Sequence, residues 1–234
     1  MAKDPIPWAD WVKKTGKLTI FLDESLGKQG WLKAFQEAIK EFNDFSTQDW
    51  KLGVTFETTD NQIRANVVAQ AKVGDFEFGY KDAYYELPKK QMQFDGDSVH
   101  GLCSLLHADE KNRATKTVEK RLVKAFIFVP AKPHIKGSKS RLVGEPVRLV
   151  VAFHEMIHAC GLDDDHHTTD DIFCWPRAKF ENKNPADDRV EAYTGQNREK
   201  IIAGKSVPER IMVTMPPIVL NKPTQDKIRK LWTV

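Results

Sequence analysis

Cysteine is scarce in this chain. Cys103, Cys160 and Cys174 are an odd set with no C-x-x-C pair, which excludes a disulfide-stapled miniature fold and a thioredoxin-like redox motif. Long hydrophobic runs are missing as well. No stretch approaches the roughly 20 consecutive apolar residues of a membrane-crossing helix, so no membrane partner is expected. An excess of one charge is also lacking: 36 Lys and Arg face 33 Asp and Glu, a net charge of +3. So thin and dispersed an excess does not argue for nucleic acid, which is not expected as a partner; binding by the loosely basic residues 132–141 would rest on charge alone, and they read as a solvated loop. Repeats, low-complexity tracts and Pro/Gly/Ser linkers are absent too, which points to one domain over residues 1–234. A chain of 234 residues buries roughly 70% of its unfolded surface and needs no covalent staples. The N-terminus, Met1-Ala2-Lys3-Asp4-Pro5, is charged at once and carries no apolar leader segment. A cytoplasmic or leaderless chain is expected, with secretion after removal of a leader left open.

Periodicity predicts the elements. Lys17 to Leu22 reads as a first strand, followed by an amphipathic helix from about Lys28 to Phe45 with Trp31, Phe35, Ala38 or Ile39, and Phe42 on one face. Period-two alternation then covers Val54 and Phe56, and Ala65 to Val73. Gly74-Asp75 reads as a turn into a second alternating run, Phe76, Phe78 and Tyr80, as in a hairpin. The run from Leu122 to Val129 is nearly all apolar and predicts a strand buried on both faces. A second long helix starts near Glu145-Pro146, where proline's missing N–H is harmless.

That helix carries His154-Glu155-Met156-Ile157-His158. Histidines four apart lie one turn above each other, so both imidazoles can reach one cation, and Glu155 stands on the adjoining face as a candidate base. With seven histidines in the chain, a chance H-E-x-x-H is expected about one time in a hundred or fewer. Val147, Val150 and Val151 extend the apolar stripe to the motif, so the histidines face inward, where neutral imidazoles need partners. Gly161 falls where a left-handed residue would end the helix, and Asp163-Asp164-Asp165-His166-His167 follows, dense in potential ligands.

The stretch His154 to Leu162, HEMIHACGL, resembles the active-site helix of the metzincin zinc endopeptidases, whose pattern is H-E-x-x-H-x-x-G-x-x-H or Asp. Met215-Pro216-Pro217 followed by Thr224, Asp226, Ile228, Leu231 and Trp232 is similar to the end of the matrixin branch, with a methionine turn before a capped helix. Thr224 reads as the N-cap of that helix, and Ile228, Leu231 and Trp232 as its apolar anchor. The resemblance is close over residues 147–162 and 215–232. It implies an α+β fold, a twisted mixed β-sheet with an N-terminal helix, an active-site helix and a C-terminal helix. It also implies one catalytic zinc ion held by His154, His158 and a third ligand, with Glu155 as general base and Met215 packed beneath the ligands.

The third ligand departs from the pattern. Three residues after the glycine stands Asp164, while a two-residue extension would bring His166 to the same place. Imidazole is the commonest zinc ligand, so His166 is favoured, with Asp164 as the alternative and His167 third. The long interval between His166 and Met215 reads as an insertion at about 173–210. Calcium has no support: Asp170-Asp171 and Asp187-Asp188 lack the rhythm of a calcium loop and read as surface charge. Cys103 and Cys160 read as packing. The expected function is a monomeric zinc-dependent endopeptidase acting on a peptide or protein. The rival is a zinc-binding scaffold, or an inactive relative, that holds a partner protein.

Overall fold

In the computed structural model the described residues are 4–94, 101–111, 116–131, 133, 144–168, 171–173, 179–182, 190–193, 199–202, 205–208 and 218–233. The first long element is strand β1 (Lys17–Leu22), matching the expected bounds. The helix expected from about Lys28 to Phe45 is α2 (Leu32–Asp44), with its Trp31-to-Phe42 face buried, and an additional short helix, α1 (Glu24–Lys28), precedes it. The chain turns between them, and Trp31 ends up ahead of α2 with its indole N–H donating to the Pro130 carbonyl. Next come β2 (Thr55–Thr58) and β3 (Val67–Lys72).

The expected hairpin across Gly74-Asp75 is not formed. Both edges of β3 are already taken, by β1 on one side and by β7 (Val118–Pro130) on the other, each in parallel register. An interior parallel strand is buried on both faces, which suits the small and branched side chains of Val67 to Ala71. Strand β4 (Gly74–Lys81) instead leaves the sheet and pairs antiparallel with β5 (Glu86–Phe94). This hairpin covers one sheet face with aromatic rings: Phe78 lies 5.4 Å from Phe126 and 5.0 Å from Phe128, centroid to centroid.

The central sheet has the order β2-β1-β3-β7-β6, four parallel strands and one antiparallel edge strand, β6 (Leu102–Lys111). The molecule is thus a mixed α+β fold around a mostly parallel sheet. Lys124, in mid-β7, is a buried cation whose ammonium donates to the carbonyls of Gln62, Ile63 and Ala65 beneath the Tyr80 ring. The opposite sheet face carries α2 and α3 (Glu145–Ala159), which pack on each other through Phe42 and Phe153, 5.7 Å apart. The segment expected as an insertion contains two antiparallel pairs: β8 (Lys179–Asn182) with β9 (Val190–Tyr193), and β10 (Glu199–Ile202) with β11 (Lys205–Pro208). Helix α4 (Lys222–Trp232) closes the fold. Its N-cap is Asn221, whose side-chain oxygen accepts the Thr224 N–H, so the cap stands three residues earlier than expected and Thr224 is buried inside the helix. Ile228, Leu231 and Trp232 are buried, as their spacing requires. Among the described residues no helix is long and apolar enough to cross a membrane.

Candidate metal centre

Helix α3 begins with Gly144 as N-cap and Pro146 in its first turn, and its stripe of Val147, Val150 and Val151 is buried in the main core. Its C-terminal end is fixed from outside. The last carbonyls of a helix lack intrahelical partners, and here two indoles supply them: Trp8 donates to Ala159 O at 2.9 Å and Trp232 to Cys160 O at 3.0 Å. Gly161 then takes φ +116°, and an added Cβ would meet Leu231 and the Ile6 carbonyl at 3.1 and 3.2 Å. Glycine is needed there twice over, for its backbone angle and for room. The amides of Gly161 and Leu162 both donate back to His158 O, and the chain reverses toward the histidines.

His154, His158 and His167 converge, each offering a ligand atom within 4.8 Å of the others. His154 Nδ1–H donates to Ile172 O at 2.9 Å, and His158 Nδ1–H donates to Leu162 O at 2.7 Å. Each bond fixes the tautomer and leaves Nε2 as the lone-pair nitrogen, the arrangement in which histidines bind metals. His154 Nε2 lies 3.0 Å from His167 Nε2. Burial holds His158 neutral, far below its usual range, with the positive potential of His154 reinforcing the effect; burial lowers His167 in the same direction. The buried Phe173 ring touches all three imidazoles, with centroids 5.3, 4.7 and 4.9 Å away. It forms an apolar floor, the part expected of Met215, which lies outside the described residues.

The favoured third ligand, His166, is not brought to the pair. Residues Asp164–His166 form a single 3-10 turn instead of an extended stretch. The turn rises only about 2.0 Å per residue, against about 3.3 Å for extended chain, and points His166 back at its own cap. Its Nδ1 lies 2.5 Å from Asp163 Oδ1, and the ring is buried. His167 follows the turn in extended conformation and reaches the helix. Asp164, the alternative ligand, stands exposed at the rim with Oδ1 3.7 Å from His158 Nε2, outside the close histidine group.

Glu155 is buried, and its Oε2 has no hydrogen-bond partner among the described residues. Burial, helped by the negative charge of Asp164, pushes its carboxyl well above the usual range. The backbone of Gly101, just before β6, lies directly against it: a Cβ there would sit 2.7 Å from Glu155 Cγ and Oε1. Cys103, two residues along the same strand, has its thiol pushed up by burial and by Glu155. Cys160 is buried and donates to Met156 O, as a packing residue does. Asp171 is not the surface charge expected from the sequence. It is buried, with its oxygens engaged by Thr168, Phe173 and Asn221. Asp170, Asp187 and Asp188 lie outside the described residues.

Three convergent imidazoles, two of them oriented by backbone carbonyls, beside a buried carboxyl group with an orphaned oxygen, fit a zinc ion with one position left for water or substrate. The sequence shows where His154, Glu155 and His158 stand, but Gly101, Asp171 and Phe173 carry no motif. Only the close-packed geometry identifies them. No protein-family model matches the chain, and comparison with curated proteins gives no match either.

Proposed function

We propose that this chain is a zinc-dependent endopeptidase of metzincin-like design, with His154, His158 and His167 as metal ligands and Glu155 as general base. The observation that carries the reading is the convergence of three imidazoles beside a buried, partly unpartnered glutamate. A structural zinc site is closed by four protein ligands and has no use for such a base. The resemblance of HEMIHACGL to the metzincin helix supports the same conclusion.

When bound, zinc supplies Lewis-acid polarisation of the scissile carbonyl and acidifies a water molecule. Glu155 takes that water's proton at Oε2 as the water oxygen attacks the carbonyl carbon, then delivers it to the amide nitrogen as the C–N bond breaks. His154 and His158 keep their orientation through the Ile172 and Leu162 carbonyls. Strand β6 is the edge of the central sheet, and Gly101 just before it lies against Glu155, so an extended peptide can pair with the strand's outer main-chain groups and present a carbonyl there.

Glu155→Gln keeps the volume and removes the base. Zinc content should stay at the wild-type level while cleavage of an unfolded protein falls by about 10²–10⁴-fold. A chelator should abolish cleavage by the wild type. Cleavage that persists in Glu155→Gln overturns the assignment of the base. A zinc-loaded wild type that binds unfolded protein without cleaving it selects the scaffold reading.

A further inference from the structure

The two histidines of α3 are oriented by different parts of the chain. His158 is tied to Leu162 O, at the end of its own helix, whereas His154 is tied to Ile172 O, in the loop beyond His167. That loop is organised by one buried carboxylate. The Thr168 hydroxyl and the Phe173 amide donate to Asp171 Oδ1, the latter at 2.9 Å, and the Asn221 amide donates to Oδ2 at 2.7 Å. Two main-chain bonds flank this knot: Thr168 N–H to Phe173 O and Ile172 N–H to Val219 O, both 2.9 Å. Asp171 is 8% exposed. A carboxylate so buried is stable when donors satisfy its oxygens, and charge-assisted bonds of this kind are about twice as strong as neutral ones.

We propose that Asp171 is the positioning residue of the histidine centre. It clasps the His167 loop and the Phe173 floor to the N-cap of α4, so that the C-terminal segment sets the orientation of His154. Thr168 is next to His167, Ile172 holds His154, and Phe173 touches all three rings. Residues 168–173 and 219–221 are therefore fastened to each other at one point. The C-terminal helix controls metal affinity through this clasp without contributing a ligand. The link to affinity rests on the zinc reading above, while the positioning of His154 stands apart from it.

Asp171→Asn preserves shape, but its NH2 group faces a donor and one side of the clasp opens. In the metal-free chain, the His154 Nδ1–H signal in nitrogen-15 NMR should exchange with solvent about tenfold faster or more, while that of His158 stays unchanged. General destabilisation would move both. Cobalt(II) titration should show affinity about 10–100-fold weaker than wild type, with an altered visible absorption band. Unchanged His154 exchange in Asp171→Asn overturns the proposal, whether or not metal binds. Failure of the wild type to take up cobalt or zinc overturns the metal reading instead, and the NMR comparison still decides the role of Asp171. Should Asp171→Asn not fold, Thr168 carries the same test. Thr168→Val should raise His154 exchange about fivefold and Thr168→Ser should restore it. Equal behaviour of the two variants overturns the proposal.

Discussion

Replacing Gly101 with alanine separates the placement of Glu155 from its chemistry. The new Cβ would lie 2.7 Å from Glu155 Cγ and Oε1 and 2.9 Å from Cδ, where ordinary contact begins at 3.4 Å. One side has to yield by about 0.7 Å. Strand β6 is held by its ladder to β7, with Leu102 opposite Phe128 and Cys103 opposite Ile127. The backbone of α3 is held by Trp8 and Trp232. The movement therefore falls on the glutamate side chain. A misplacement of about 1 Å at a reacting centre can lower rates about 10²-fold, so turnover should drop about 10–10²-fold. Overpacking costs about 1–3 kcal/mol, partly offset by about 0.5–1 kcal/mol from removing glycine in extended chain, and the variant should remain folded. The three atoms nearest the new Cβ all belong to Glu155, so zinc content should not change. The assay is kcat/KM for cleavage of an unfolded, fluorophore-labelled protein, with zinc content and thermal unfolding measured on the same preparation. Wild-type turnover in a folded, zinc-loaded Gly101→Ala variant refutes the reasoning.

The third ligand is decided by comparing single variants. His167→Ala should weaken zinc binding sharply, Asp164→Asn only slightly, and His166→Ala should mainly lower the unfolding temperature, because His166 braces the Asp163 turn; competition with a coloured chelator and thermal denaturation give the two readings. Lys124 sets a pH dependence of stability. Burial lowers its ammonium to about 8 from 10.5, so above pH 8 the folded chain releases a proton that the unfolded chain keeps up to about 10.5, and stability from this group rises with pH across that window. Denaturant titrations of wild type and Lys124→Met should diverge in slope between pH 8 and 10; parallel curves would show that the ammonium is not destabilised by burial. Tyr85, pushed up to about 12 by burial and Glu110, acts with the opposite sign at higher pH: the unfolded phenol ionises first and stability falls.

The histidine pair of α3 is legible in the sequence because H-E-x-x-H is a local pattern, and one helical turn is enough to bring His154 and His158 together. Strand β7 is legible for a related reason, since a run apolar at every position but Lys124 has few places to go other than the interior of a sheet. The strand pairing of β3 is not legible. Alternation and a glycine suggest a local hairpin, and only the competition between β1, β7 and β4 for its two edges shows that the parallel partners win. The third histidine fails in the same way. Reach estimated for extended chain favours His166, whereas the Asp163 cap folds the next three residues into a tight turn and brings His167, one residue on, close to His154 and His158. Phe173, Asp171 and Gly101 are out of reach of any pattern, because their roles come from contacts with residues distant in the chain: Asn221 for Asp171, Glu155 for Gly101.

Metal stoichiometry tests the central claim most directly. Elemental analysis of the purified chain after zinc loading and exhaustive dialysis should give one zinc per chain for the wild type, and none for the His154→Ala/His158→Ala double variant at equal folded fraction by circular dichroism. A wild type that retains no zinc, or a double variant that retains as much as the wild type, contradicts the metal centre and the peptidase reading built on it.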